Sequence, residues 1–399
     1  MVYITKKQAQ AFILSRHGLL GEHIFKDKNG CMDFIQRVQC IQYDPVNVCG
    51  RNADIVLHSR IKAYQKDYLN ELLYQDRKLI DCFDKNLAIT LVEDFSPLYD
   101  NKANRQADDR ILRIMPQIRQ LIKERGHVSS KDMGIGEKIL WDWGVETSLA
   151  RAALEHMYAS GELIIHHKIG TNKKYALLKD HIPDKFLNMQ MPFTNTAEKL
   201  AWRVKRRIKG VGMLWNKASD AFLGLNLKSA ERNMAFTQLL KNEEIFEVNV
   251  EGLKESLYIC KDEKELFETV LSHSKTKSYI RTEFIAPLDS FMWDRKLIYA
   301  LFGFEYKWEI YTPKEKRKFG AYTLPILHNG EFIGRIDMAR KNKILEINNI
   351  WLEDDITLNN EIKSAISICT KRFADFNNCT TTNDYCNLPS LNCTSSKTY

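Results

Sequence analysis

Nine cysteines are spread through the 399-residue chain, an odd number with no CxxC pair among them. That scatter argues against a disulfide framework and leaves no cysteine spacing suited to structural zinc. Long apolar runs are also missing. No uncharged stretch approaches the ~18 residues of a membrane span, and the chain reaches Gln8 and Gln10 before any apolar run, so a secretory h-region is lacking. The expected location is the cytoplasm, where the sequons at Asn378 and Asn392 carry no meaning. Several catalytic signatures are absent too. There is no GxxxxGK[ST], and Gly134-Ile135-Gly136 neither completes a dinucleotide fingerprint nor opens a strand-to-helix turn, so no nucleotide cofactor is expected. There is no GxSxG elbow. The ten histidines contain no HExxH; His166-His167 and His156 read as satisfied or exposed side chains, and neither a metal site nor any other cofactor is expected.

What is present is ample core-forming material. The chain is 44% hydrophobic and 28% charged, which suits a folded protein rather than a disordered one. At roughly 150 residues per domain, its length predicts two to three packed units. Fifty-nine Lys and Arg against 51 Asp and Glu give a net charge of +8, which favours anionic partners without identifying one.

Local patterns predict a repeated module. An amphipathic run from Ile111 to Lys123 stops at Arg125-Gly126-His127, Ser129 to Asp132 starts a short helix, and Thr147 or Ser148 caps a third helix ending near Ser160. Two strands then flank Gly170-Thr171-Asn172. Helix, helix, helix, hairpin is the order of a winged helix-turn-helix. It recurs as Thr196–Lys209, Ala218–Leu223, Lys228–Lys241 and two strands around Gly252. Aligning the third helices pairs Ser148 with Ser229 and Arg151 with Arg232, an offset of 81 residues (229 minus 148), which suggests a tandem array. Two unrelated helix–hairpin units are the bland alternative. Lys6–His17, with Ala9, Phe12 and Ile13 inward, and Met32–Gln39 read as helices, and Ile41–Val48 as a strand or tight turn. After Ala286, alternation predicts strands at Tyr306–Tyr311, Tyr322–Leu327, Phe332–Ala339 and Ile344–Trp351, with a hairpin at Asn329-Gly330. The fold class is therefore α+β: tandem winged helix-turn-helix units followed by a β-rich C-terminal unit.

Charge gathers in two places, Arg203 to Lys209 on one helix and Lys314, Lys316, Arg317 and Lys318 in a loop. Each is a solvated face or a phosphate site. If the third helices enter DNA, Arg151 and Arg232 are contacts. One segment invites a catalytic reading: Gln42-Tyr43-Asp44-Pro45 with Asn47, followed by Arg51 and Arg60. In an extended chain Gln42 and Asp44 face one side and together hold a water; an Asp-Pro step is otherwise a turn device.

These residues resemble the AlkZ/YcaQ family of winged-helix DNA glycosylases. Gln42-Tyr43-Asp44-Pro45, Asn47-Val48, Arg51, Leu57 and Ser59-Arg60 resemble its catalytic motif and flanks. A second block runs from Pro287-Leu288-Asp289 through Trp293-Asp294-Arg295, Glu309-Ile310-Tyr311, Lys316-Arg317-Lys318 and Leu324-Pro325 to Gly334-Arg335. The likeness spans about 5–355, and the Asp at position 44 is similar to the YcaQ-like branch. It implies a C-shaped, monomeric enzyme on double-stranded DNA of the nucleoid, cleaving the N-glycosidic bond of N7-alkylated purines and unhooking interstrand crosslinks. Gln42 and Asp44 are then the catalytic pair; from charge and placement along the chain, Asn47, Arg51, Arg60, Arg151, Arg232, Lys314, Lys316, Arg317 and Lys318 are the expected DNA contacts. Lys85 departs from the pattern by standing where many members have histidine. The expected segments are 1–105 with the catalytic motif, winged helices at 106–185 and 186–270, a β-rich unit at 271–376 and a disordered tail at 377–399. A non-catalytic winged-helix transcriptional regulator is the competing reading.

Overall fold

The computed structural model describes residues 2–99, 108–141, 144–272 and 280–381. Backbone contacts divide the chain into two units, 1–69 with 193–399, and 70–192, a coarser division than the five expected segments. The expected boundary at 105/106 lies outside the described residues.

The first unit opens with β1 (Val2–Ile4) and α1 (Lys6–Arg16). Thr5 and Gln8 bond reciprocally across the first turn of α1, at 2.8 and 3.2 Å, so two helix-end donors are satisfied from the sequence itself. Ala9, Phe12 and Ile13 face inward, as their spacing requires. After α2 (Asp27–Val38), Gln39 takes a left-handed φ of 71° and turns the chain into the short strand β2 (Cys40–Gln42). Helix α3 (Asn52–His58) follows and is buried throughout.

The second unit contains the hairpin β3 (Leu79–Asp84) and β4 (Asn86–Leu91), then α4 (Asp109–Arg125), which stops at Gly126 with φ 78°. Ser129 and Asp132 form the start signal of a 3-10 turn over Ser130–Met133. A hairpin unforeseen in the sequence, β5 (Lys138–Leu140) with β6 (Glu146–Ser148), leads into α5 (Leu149–Ala159). Ser148 caps that helix by accepting from the Arg151 N–H at 3.2 Å. The strands β7 (Leu163–Ile169) and β8 (Asn172–Leu177) complete the module. Ile118, Ile122, Leu149, Ala153, Met157 and Leu163 share one core, so the apolar faces read from periodicity meet each other. Histidines do cluster here, contrary to expectation: His127 joins His166 and His167.

The chain then returns to the first unit with α6 (Thr196–Val211), a 3-10 turn at Asp220–Phe222, α7 (Ser229–Lys241), β9 (Ile245–Val250) and β10 (Leu257–Cys260). β1 extends this wing by pairing in parallel with β9, Val2 opposite Val248. Helices α5 and α7 start 80 residues apart (229 minus 149), one fewer than the residue match suggested. The difference arises because Ser148 is a cap whereas Ser229 is already helical, Lys228 holding the cap position.

The C-terminal part carries β11 (Thr282–Phe284), α8 (Arg295–Phe302), β12 (Thr323–His328), β13 (Glu331–Lys341), β14 (Ile344–Leu352), α9 (Asn360–Phe376) and β15 (Thr380–Thr381). The five strands form one sheet in that order. Asn329 and Gly330, at φ 50° and 84°, make the expected tight hairpin. Gly334 allows β13 and β14 to close, since a Cβ there would stand 2.1 Å from the Trp351 carbonyl oxygen. Two expectations fail, those for Tyr306–Tyr311 and for the start of the tail. Tyr306–Tyr311 is not a strand, because the segment is held by side-chain bonds instead of a ladder. α9 adds a 17-residue helix beside the expected β-rich sheet, which is present. The tail is ordered as far as Thr381: Asn377 is buried, its amide donating to the Cys49 carbonyl at 2.8 Å, and β15 pairs in parallel with β14. Residues 382–399 lie outside the description. No helix among the described residues is long and apolar enough to cross a membrane.

Candidate active site

Gln42 is the last residue of β2 and Asp44 lies two positions on, beyond the strand. Gln42 is buried and Asp44 half-buried. Asp44 Oδ1 accepts from the Val46 N–H at 2.8 Å, so the Asp-Pro step is a turn device as well as a catalytic candidate. Burial pushes the Asp44 carboxyl above its ordinary value, the Val46 N–H opposing that only in part. Among the described residues no cationic side chain pairs with it. The neighbouring Tyr322 hydroxyl is raised first by burial, with Cys49, Tyr306 and Asp44 adding their charges.

A fixed frame holds this segment. Asn52, 1% exposed, donates to the Gln42 carbonyl at 2.9 Å and accepts from the Leu288 N–H at 3.0 Å, tying the strand to the Pro287-Leu288-Asp289 loop. The Arg340 N–H donates to the Val48 carbonyl at 2.9 Å. Asp289 caps the next 3-10 turn through the Phe291 N–H at 3.0 Å and binds Arg60 with both oxygens, at 2.5 and 2.8 Å.

The basic loop is organised by one carboxylate. Glu309 is buried and accepts from three successive backbone N–H groups, Lys318 at 3.0 Å, Phe319 at 2.9 Å and Gly320 at 3.2 Å. Burial alone would raise its pKa, but those donors hold it below the ordinary glutamate value. Around this anchor Lys314, Lys316 and Lys318 are exposed, while Arg317 is half-buried and donates to the Thr312 carbonyl at 2.8 Å. Tyr311, 82% exposed, stands edge-on to Trp308, which in turn meets Tyr322 at 6.1 Å between ring centroids.

Not every expected DNA contact is free to reach a phosphate. Arg60 is fully buried, paired with Asp289 and stacked over Phe34 at 5.0 Å, so it is a structural cation. Arg232 is 8% exposed and bonds Asn216 at 2.8 Å and Ser229 at 3.3 Å. Most of the α6 run is likewise engaged: Lys205 with Glu244, Lys209 with Asp262, and Arg206 with the Gln39 side chain and carbonyl. Arg51 is partly exposed but forks onto buried Asp54, which also accepts from Tyr64 at 2.9 Å. Asn47 is exposed in a tight turn bridged to Arg51. Arg151 remains exposed and pairs with Glu155 one turn on. Lys85 is buried in the β3–β4 turn. Sequence reasoning assigned no role to Asn52, Glu309 or Asp289, although the last two lie in stretches it had singled out.

Comparison with known proteins adds two findings. The family described as "DNA glycosylase AlkZ-like" matches residues 35–376, most of the chain and both blocks above. The solved structure of the Streptomyces sahachiroi DNA glycosylase AlkZ superposes with a TM-score of 0.58 over 96% of this chain and 98% of that one. At 15% identity this second likeness is one of fold.

Proposed function

Because the chain belongs to the AlkZ-like DNA glycosylase family, we propose that it hydrolyses the N-glycosidic bond of N7-alkylated purines in double-stranded DNA, with Asp44 and Gln42 as its catalytic pair. Alkylation at N7 makes the purine a cationic leaving group. Its departure releases a neutral base and needs little acid assistance, while positive charge builds on the deoxyribose in an oxocarbenium-like transition state. A carboxylate beside that sugar lowers the barrier directly. The observation that carries this reading is the state of Asp44: half-buried, matched with no cation among the described residues, and held at one oxygen by the Val46 N–H. Its second oxygen is then available to the developing cation or to an attacking water, which Gln42 orients by hydrogen bonds.

No lysine stands in the motif to form a Schiff base, so the product is an abasic site and the enzyme is monofunctional. Lys314, Lys316 and Lys318 supply phosphate contacts, with Asn47 and Arg51 beside the motif and Arg151 on α5 as further candidates. Tyr311 offers a stacking face next to that loop. The same chemistry extends to crosslinked N7-alkyl bases. The substrate places the enzyme, as a monomer, on the DNA of the cytoplasmic nucleoid.

Incubation with duplex DNA containing N7-methylguanine tests the proposal. Free base is expected from the native protein, and Asp44→Asn is expected to slow its release at least about a hundredfold, in line with loss of a positioned acid–base group, while binding the duplex as before. Release at the native rate by Asp44→Asn removes the carboxylate from the mechanism. No release by the native protein from any N7-alkylated duplex removes the substrate class.

A further inference from the structure

Among the described residues the three-histidine group in the second unit is the one set of side chains gathered as metal ligands commonly are. His166 and His167 are consecutive on β7, and consecutive strand residues ordinarily point to opposite faces. Here the ladder slips. Lys174 pairs with His167 and Tyr175 with Ile165, which leaves His166 without a residue across from it. Such a bulge re-aims the extra side chain, and the two Nδ1 atoms come within 2.7 Å of each other.

His127 arrives from the other side of the module, one residue past the Gly126 that ends α4. Its position is fixed by paired backbone bonds between Val128 and Tyr175, at 2.9 and 2.7 Å, so the loop is fastened to the same hairpin. Its ring centroid is 4.9 Å from those of both His166 and His167. Its Nδ1 is shut off from solvent and has no hydrogen-bond partner. A buried polar atom of that kind is costly unless something occupies it.

We infer that His127, His166 and His167 form a binding site for one divalent transition-metal ion, for which zinc is the probe. Imidazole suits zinc, copper and nickel, whereas magnesium and calcium ask for oxygen ligands. Zinc–nitrogen bonds of about 2.0–2.1 Å in a tetrahedron put ligand atoms about 3.3 Å apart. One ring nitrogen from each histidine lies within 4.8 Å of the others, with the closest contact at 2.7 Å, so small ring rotations suffice.

The nearby cations are already engaged. Arg77 donates to the carbonyls of Leu73, Ile165 and His166, and Lys174 is paired with Asp132 at 2.8 Å. The three rings are half-buried, which leaves a fourth position for water or an incoming ligand. The bound ion clips the end of α4 to the base of the wing. It contributes no step to hydrolysis at Asp44.

Full-length protein freed of metal with a chelator is titrated with zinc chloride by calorimetry and with cobalt by absorption. The cobalt spectrum separates nitrogen from thiolate ligation in a chain with nine cysteines. One ion per chain with nitrogen ligation is expected, together with a zinc-dependent rise in Tm. His127→Gln and His167→Gln, checked for native circular dichroism, are each expected to weaken binding at least about tenfold and to abolish the rise. Undiminished binding by the folded double variant overturns the site. So does failure of the native protein to bind, or a thiolate spectrum.

Discussion

A carboxylate that is half-buried with no cation beside it resists ionisation, and Asp44 is in that state. In the proposed mechanism the working form is the ionised one, so kcat/KM for base release is expected to fall as pH drops through the raised pKa. The acid limb then lies above the ordinary value of 3.8, and Asp44→Asn flattens it. Arg60 shows the opposite arrangement, a buried cation satisfied by Asp289 on two oxygens. Removing one partner of such a pair strands the other, so Arg60→Ala is expected to cost about 3–5 kcal/mol of stability. Urea unfolding checks this, and the folded fraction should keep its affinity for DNA. These contrasts also mark what was readable from the residues. Gln42 and Asp44 stood out because their types and spacing resemble a known motif. Arg60 stood out for the same reason and was given the wrong task, since charge in a sequence does not report burial. Asn52 was invisible: its tie to Leu288 spans 236 positions, and no local pattern encodes it.

Among the elements, signals confined to a few residues read well. The stop of α4 at Gly126, the Ser129–Asp132 start and the Asn329-Gly330 turn are all chemistry between neighbours. Tyr306–Tyr311 failed because alternation speaks of buried and exposed faces, not of a partner strand. Tyr306 is buried by donating its hydroxyl to the Thr323 carbonyl at 2.8 Å, and Glu309 by capping three amides. That cap makes the basic loop a rigid presenter of lysines. Glu309→Gln turns one acceptor oxygen into an amide donor, so the loop is expected to loosen and duplex affinity to fall. The slope of log K against log salt should become shallower by about 1 for each phosphate that a lysine no longer reaches. Base release at saturating DNA should be little changed. A variant with unaltered salt dependence would show that the anchor does not govern the lysines.

At the scale of the molecule, distant parts of the first unit converge on Glu283. Its carboxylate binds Arg281 at 2.8 Å and Arg372, with His23 at 3.1 Å, and Arg281 also donates to the Ser59 carbonyl at 2.6 Å. Burial alone would raise its pKa, but Arg372, His23 and Arg281 hold it at about 2. A depressed carboxyl adds stability above its unfolded value, and that contribution is lost as pH falls through the folded one. Urea unfolding is therefore expected to show a stability loss between pH 4.5 and about 2. Glu283→Gln should be destabilised at neutral pH by about 3–5 kcal/mol, and the gap to the native protein should narrow over that window. Contacts of this range also set a timetable. Asn377 fastens the Cys49 carbonyl across 328 positions, only a few residues from Asp44. During synthesis the Asp44 segment thus emerges 328 positions ahead of the partner that fastens its neighbour Cys49, so a chain still lacking Asn377 carries the proposed catalytic carboxylate without the latch that steadies it.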